Sequence, residues 1–322
     1  MKRTTNIFIV HTPLQNYFVT QIAENFFGGN QYENILISSV QSKEVDMFDR
    51  IQIIEKKNGI KKIIGTLKSK FLIDRYSKKK EVKIFISHTS GLLDNYIFNR
   101  IKESRPSIEI NFFYDGILYF YCYRERFRKS HKTRKIIGRL IGIDYKYDPV
   151  IFPHDSEKIS KIYTMLPKYT LGLPEKHVKV ELRGLEYRPK PLSSLILGGK
   201  PALLTNAEVQ KIYSHILDKI SLNKKHKLFF KGHHADVSRN FEKANVAGQG
   251  FEDVTQDSPI EEVITRYSPA RVYSYPSSAL INLKSMYGDS IELFCFYIKE
   301  KKQEIDYLMP ILEDLDISVE LI

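Results

Sequence analysis

Short apolar, β-branched runs separated by helix-compatible stretches recur along this chain, and they constrain its fold more than any other feature. In the first half they are Asn6 to Val10, Asn34 to Ser38, Arg50 to Ile54, Lys83 to Ser87 and Glu109 to Tyr114. Runs of about four to eight such residues, alternating with helical sequence, mark a parallel sheet covered by helices on both faces. From about Asp148 to Leu192 the pattern breaks, with six prolines between Pro149 and Pro191 and two short strands expected at Lys161 to Met165 and Val178 to Leu182. It then restarts: a strand at Ala202 to Leu204, a helix from Asn206 to Ile220, a strand at Lys227 to Phe230, and strands at Arg271 to Tyr275 and Ile291 to Tyr297 around a helix from Ser278 to Met286. The expected architecture is α/β, two Rossmann-like halves facing each other across a central cleft. Their bounds are read as residues 1–155, a linker over 156–192, and residues 193–322.

The length supports this. At 322 residues, 42% hydrophobic and 12% aromatic, the chain exceeds one ordinary domain and has ample material for two cores. Cys122 and Cys295 stand far apart, which suggests neither a disulfide framework nor a cysteine zinc site and fits a reducing cytoplasm. The apolar run Ile7 to Val10 is too short for a signal-peptide core, and no stretch reaches the roughly 18 apolar residues of a membrane span. The expected location is cytoplasmic, in solution or peripheral on the inner face of the membrane.

The net charge of +12 is uneven. Residues 1–160 carry 28 Lys and Arg against 17 Asp and Glu, whereas residues 161–322 carry 22 against 21. The densest clusters are Lys56 to Lys83 and Arg124 to Arg139. Such a face suits an anionic membrane, a phosphorylated acceptor or nucleic acid, and equally a plain solvated surface.

Chemically active groups in doubly wound sheets sit just after the strands. In INFFYDGILYF, Asp115 and Gly116 follow an apolar run, which places a carboxylate where a general base is needed and a glycine where a turn with positive φ is allowed. An ordinary Asp-Gly turn is the bland alternative. In KLFFKGHHADVS, Lys231, Gly232, His233 and His234 follow a strand, an ammonium and an imidazole suited to phosphate charge and proton donation. Adjacent histidines also ligate metals, although no carboxylate stands at the usual helical spacing. In YSYPSSALINL, Ser277 and Ser278 open a helix, where a plain N-cap needs one of them and an anion could use both together with the helix terminus. Glu261 and Glu262 open another helix after Pro259, as the helix dipole favours, and a glutamate there can also accept from ribose hydroxyls.

In this order, Asp-Gly, Lys-Gly-His, Pro-Ile-Glu and Ser-Ser resemble the bacterial CMP-sialic acid-dependent sialyltransferases of the GT-B type, the lipooligosaccharide and polysaccharide group. HTPLQ, His11 to Gln15, is similar to the opening of that group. The resemblance implies Asp115 as general base and His233 as general acid or phosphate donor. It implies that Lys231, Gly232, Glu261, Ser277 and Ser278 bind the CMP donor, and that His88, His11 and Gln15 lie on the acceptor side. It further implies inverting transfer of sialic acid from CMP-sialic acid, without metal or other cofactor, to a galactose-terminated surface glycan, α2,3 favoured. Because surface polysaccharides are often assembled on polyprenyl pyrophosphate at the inner face of the membrane, the basic face over Lys56 to Lys83 or Arg124 to Arg139 is expected to contact that membrane or the pyrophosphate. Tyr114 stands where an acidic residue is usual and His234 where proline is usual, which bears on the subfamily. The competing readings are a GT-B transferase using another nonulosonic acid or nucleotide sugar, a metal-dependent phosphohydrolase built on Asp115, His233 and His234, and a basic nucleic-acid-binding protein. The last is weakened because no nucleic-acid motif is present.

Overall fold

The computed structural model describes residues 3–40, 46–54, 59–79, 81–122, 124–125, 128–184, 186–198, 204–220, 227–232, 250–255 and 260–322. The chain divides into two compact units, Met1–Glu181 and Leu182–Ile322.

The first unit is a parallel sheet of seven strands: β1 (Thr4–Val10), β2 (Tyr32–Ser38), β3 (Arg50–Ile53), β4 (Val82–Ile86), β5 (Glu109–Phe113), β6 (Ile159–Thr164) and β7 (His177–Lys179). Their order is β3-β2-β1-β4-β5-β6-β7. β1 is central, so its side chains are buried on both faces, and its apolar run is continuous rather than alternating. Phe8 of β1 stacks on Phe85 of β4 at 4.5 Å between centroids and meets Phe27 and Phe48. β3, at the edge, reads RIQI; its four-residue length and the exposed charge of Arg50 limit further pairing there.

Four helices matter in this unit. α1 (Pro13–Phe26) begins on the sequence His-Thr-Pro because Thr12 caps it, accepting from the Gln15 amide at 3.2 Å, and Pro13 occupies the first turn where no N–H is needed. α2 (Gly59–Tyr76) links β3 to β4. α3 (Leu92–Tyr96) continues through a π-helical turn at Ile97–Ile101 to Ser104. α4 (Lys129–Leu140) follows β5.

The second unit is a parallel sheet of six strands: β8 (Lys190–Leu197), β9 (Lys227–Lys231), β10 (Glu252–Asp253), β11 (Pro269–Ser274), β12 (Glu292–Tyr297) and β13 (Ser318–Leu321). Their order is β10-β9-β8-β11-β12-β13. Helices α5 (Asn206–Lys219), α6 (Ile260–Tyr267), α7 (Ser278–Tyr287) and α8 (Met309–Asp314) accompany them. Thr205 and Glu208 form a reciprocal capping box at the start of α5. The core gathers Ile196, Ile212, Phe230, Tyr273 and Phe296 at essentially zero exposure.

Two sequence expectations differ from the structure. The region read as a linker over 156–192 carries β6 and β7, which pair onto the first sheet, and then the start of β8. The first strand of the second unit is β8, not Ala202 to Leu204, of which Ala202 and Leu203 lie outside the described residues and Leu204 is not in a strand. Pro189 and Pro191 masked β8. Proline lacks a ladder donor but is tolerated at the exposed beginning of a strand, and here Lys190 to Leu192 are exposed while Ser193 to Leu197 are buried.

Candidate active site

In the first sheet the chain runs from β1 outward to β3, then returns to place β4 on the other side of β1. Ligands of open parallel sheets bind beyond the carboxyl ends of the strands at such a reversal. His11 leaves β1, and Ser87 and His88 leave β4, so all three stand at the reversal, with Asp115 leaving the adjoining strand β5. The rings of His11 and His88 stack at 5.4 Å between centroids and 15° between planes.

Gln15 connects these exits. It sits in the first turn of α1 with 1% of its surface exposed. Its Oε1 accepts from the His11 backbone N–H at 2.6 Å, while Nε2 donates to Ser87 Oγ at 2.9 Å and to Asp115 Oδ1 at 2.7 Å. The backbone donor leaves the amide one sensible orientation, so the NH₂ group is directed at the carboxylate. Asp115 precedes Gly116, whose φ of +79° takes the chain through a conformation that glycine adopts without strain. Burial pushes the Asp115 carboxyl above its ordinary value, against the opposing pull of His88 and the Gln15 hydrogen bond. A carboxylate so raised is a better proton acceptor. Beneath it, Tyr119 Oη donates to the Ser87 carbonyl at 2.6 Å.

The sequence reading did not single out Asp94. Its side chain is fully buried on the first turn of α3, and Oδ2 lies 2.8 Å from His11 Nε2. Burial alone would raise the Asp94 carboxyl, but the charge and hydrogen bond of His11 outweigh it and hold Asp94 below its ordinary value. An ionised Asp94 accepts from His11 Nε2–H, which fixes the orientation of the ring. The pair fits because residue 91 is glycine: a Cβ there would stand 2.1 Å from Asp94 Oδ2. The signal in HTSGLLD was a helix-start carboxylate after glycine, which dipole preference alone accounts for. His88 is half-buried, burial lowers its pKa, and its Nδ1 lies 3.3 Å from Ser90 Oγ.

The second unit repeats the reversal, between β8 and β11. Lys231 ends β9 and is 8% exposed, and the Gly232 N–H donates to Thr255 Oγ1 at 2.7 Å. Ser277 caps α7, its hydroxyl accepting from the Ala279 N–H at 3.0 Å, and Ser278 is the first helical residue. Glu261, 3% exposed in the first turn of α6, accepts from Asn282 Nδ2 of α7 at 2.6 Å. One helix start therefore presents a hydroxyl and backbone donors, and a carboxylate is fixed against the same helix. His233 and His234 lie outside the described residues, as does the side chain of Glu262.

The first unit thus joins His11, Gln15, His88 and Asp115, with Asp94 added. The second holds Lys231, Gly232, Glu261, Ser277 and Ser278.

A family model described as alpha-2,8-polysialyltransferase matches residues 6–291. No curated protein sequence matches. Among solved structures, the α/β-galactoside α-2,3-sialyltransferase of Photobacterium phosphoreum superposes with a TM-score of 0.61 at 16% identity, covering 100% of this chain and 99% of that one. The GT-B domain of the Photobacterium damselae sialyltransferase gives 0.52 at 12% identity, covering 98% of each chain. A putative UDP-N-acetylglucosamine 2-epimerase of Listeria monocytogenes gives 0.52 at 8% identity over 92% of this chain and 79% of that one. At these identities the likeness is one of fold, the GT-B fold.

Proposed function

The chain belongs to the alpha-2,8-polysialyltransferase family and is a GT-B glycosyltransferase, and from that premise we propose that it transfers sialic acid from CMP-sialic acid to a glycan hydroxyl with inversion, Asp115 serving as the base. The observation that carries this reading is the Gln15 amide holding a pKa-raised Asp115 beside the His11–His88 stack at the strand reversal.

Asp115 takes the acceptor hydroxyl proton as that oxygen attacks the anomeric carbon. The anomeric C–O bond to phosphate breaks, and its electron pair leaves with CMP. Negative charge grows on the phosphate as oxocarbenium character grows on the sugar. Lys231 and the helix start at Ser277 and Ser278 are the groups suited to meet that charge, with Gly232, its N–H held by Thr255, as the small residue beside Lys231 in the donor site; donors aimed at developing charge lower the barrier most. His233 is the proton donor to the departing phosphate, and Glu261 accepts from the ribose. None of these steps calls on a metal or other cofactor. His11, its ring held by Asp94, and His88 orient the acceptor, with Gln15 setting the base.

The motif resemblance supports terminal galactose as acceptor and an α2,3 linkage. The family match favours a second reading, a terminal sialic acid and an α2,8 linkage. In either case the acceptor is a surface glycan under construction on a polyprenyl pyrophosphate, reached from the cytoplasm by a protein in which no described helix is long and apolar enough to cross a membrane.

The test is incubation with CMP-sialic acid and either a β-galactoside or a sialylated oligosaccharide in the presence of a chelator, with the product read by NMR. Transfer to galactose gives the first linkage, and extension of the sialylated acceptor gives the second. Preference for a UDP- or GDP-sugar, or loss of turnover on chelation, overturns the reading.

A further inference from the structure

Nine large hydrophobic side chains are exposed among the described residues, and five of them lie on α2 and α4. On α2, Ile60, Ile64 and Phe71 are 73%, 47% and 62% exposed. Their spacing of four and seven residues puts them in one row along the helix, with half-buried Leu67 in the same row. The buried positions Gly65, Thr66, Ser69, Leu72 and Ile73 occupy the opposite side. This helix turns small and apolar residues inward and keeps a second apolar row for the outside, bordered by exposed Lys68 and Arg75.

α4 is more pronounced. Its buried residues are His131 and Gly138, and the apolar pair facing out is Ile136 and Leu140, 62% and 76% exposed and one turn apart. Lys129, Lys132 and Arg139 are exposed around that pair. The inward side is fixed: His131 Nδ1 lies 3.0 Å from Tyr145 Oη, and a Cβ at Gly138 would touch the Ile143 carbonyl at 2.7 Å. The helix therefore has no room to roll and hide its apolar pair.

The two helices share one layer. The crossovers β3 to β4, β4 to β5 and β5 to β6 all step the same way across the sheet, so right-handed connections put α2, α3 and α4 on one face. α2 packs on α3 where Tyr96 Oη donates to Asp74 Oδ1 at 2.5 Å, and α4 packs on α3 where Gly138 meets Leu92.

We infer that the outer rows of α2 and α4 form a docking surface for an anionic lipid bilayer, with Ile60, Ile64, Phe71, Ile136 and Leu140 entering the interface and the flanking Lys and Arg contacting headgroups. Apolar residues at helical spacing, ringed by cations on a helix that cannot span a membrane, are the pattern of an interfacial helix. Charge excludes a second copy as the better occupant, because a two-fold contact would press the same basic rims together. Nucleic acid would use the cations and leave the aliphatic rows without partners. The surface also has a place in the site: Leu92, on which α4 rests, adjoins Gly91 and the Asp94–His11 pair. Docking would hold the membrane plane beside the residues proposed to orient the acceptor. This deepens the reading of a membrane-carried acceptor and rests on it for its purpose.

The experiment is flotation of the full-length chain with vesicles of phosphatidylcholine alone and with vesicles containing about one-third phosphatidylglycerol, at about 0.05 M and 0.5 M salt. The chain should float with the anionic vesicles and keep part of that binding at high salt. Ile64→Ser with Phe71→Ser, and Ile136→Ser with Leu140→Ser, should each lower partitioning at least about tenfold. Both should leave transfer to a soluble acceptor unchanged and slow transfer to a lipid-anchored one. Lys132→Gln with Arg139→Gln should remove only the salt-sensitive part. The inference is overturned if the unaltered chain stays with the soluble fraction, if the serine variants float as it does, if they instead convert a dimer to a monomer in light scattering, or if DNA outcompetes the vesicles. Vesicle binding without any sialyl transfer would leave the surface standing and sink the proposed activity; transfer without vesicle binding would do the reverse.

Discussion

In the first unit the exits of β1, β4 and β5 are joined by side chains: Gln15 spans Ser87 and Asp115, and Asp94 grips His11. Among the described residues of the second unit, the exits of β9 and β11 instead pair a backbone N–H with a hydroxyl: the Gly232 N–H donates to Thr255, and the Ala279 N–H donates to Ser277 at the start of α7. Both sheets reverse direction at their centre, so topology offers each the same crevice. The difference lies in what the ligand would demand. A group that must accept one proton has to be fixed in position and pKa, which a buried amide and a paired carboxylate can do. A spread-out anion asks for several donors and partial positive charge, which a helix start supplies with little side-chain chemistry.

The strongest way to break this contrast is at its most demanding point. Asp115→Ala should lower kcat/KM for transfer by about 10² to 10⁴-fold while melting as a folded protein, and near-normal turnover in a transfer assay would remove the base from the first unit altogether. Gly91→Ala comes next. The new Cβ conflicts with Asp94 Oδ2, and the easiest relief is to swing that carboxylate off His11. A fall of about tenfold or more in kcat/KM with the fold retained is expected, and a variant as active as the parent would show that the His11–Asp94 contact is idle.

In the second unit, Glu261→Ala leaves Asn282 Nδ2 buried without its acceptor, costing about 1–3 kcal/mol in denaturant unfolding, and should raise the KM for the CMP donor. A stability loss with an unchanged donor KM would reduce Glu261 to packing. Ser277→Ala is smaller, about 1 kcal/mol for the lost cap, with a modest rise in donor KM; Ser278→Ala, which removes no cap bond, separates anion binding from helix stability. The subtlest measurement is a pH profile. Gln15 donates to the ionised form of Asp115 and so lowers its pKa; Gln15→Leu should raise that pKa further and move the acid limb of kcat/KM to higher pH. A limb that stays or moves down would detach Gln15 from the base.

Part of this arrangement is legible in the sequence. The strands of the first sheet announce themselves because central parallel strands are apolar on both faces, and Asp115 follows from looking just past one of them, whereas His11 and His88, although they too stand at strand exits, enter through the motif resemblance. β8 was hidden because Pro189 and Pro191 sit at its exposed start, where proline is harmless, and because its buried half is short. Asp94 was hidden for another reason. A first-turn carboxylate has an adequate local explanation, and its true partner is 83 positions away in the chain. Gln15 appeared within a resembling motif, yet its contacts with Ser87 and Asp115 belong to the packed sheet and to nothing local.

The Gln15 amide also bears on the order in which the molecule becomes itself. Its bond to Asp115 closes a loop of 100 residues and needs β1, β4 and β5 paired in register at once. Contacts of such long range form late, since the chain entropy they cost is recovered only when the intervening strands are in place. On dilution from denaturant, helical signal should therefore return before turnover does, and the interval between the two would time the assembly of the base.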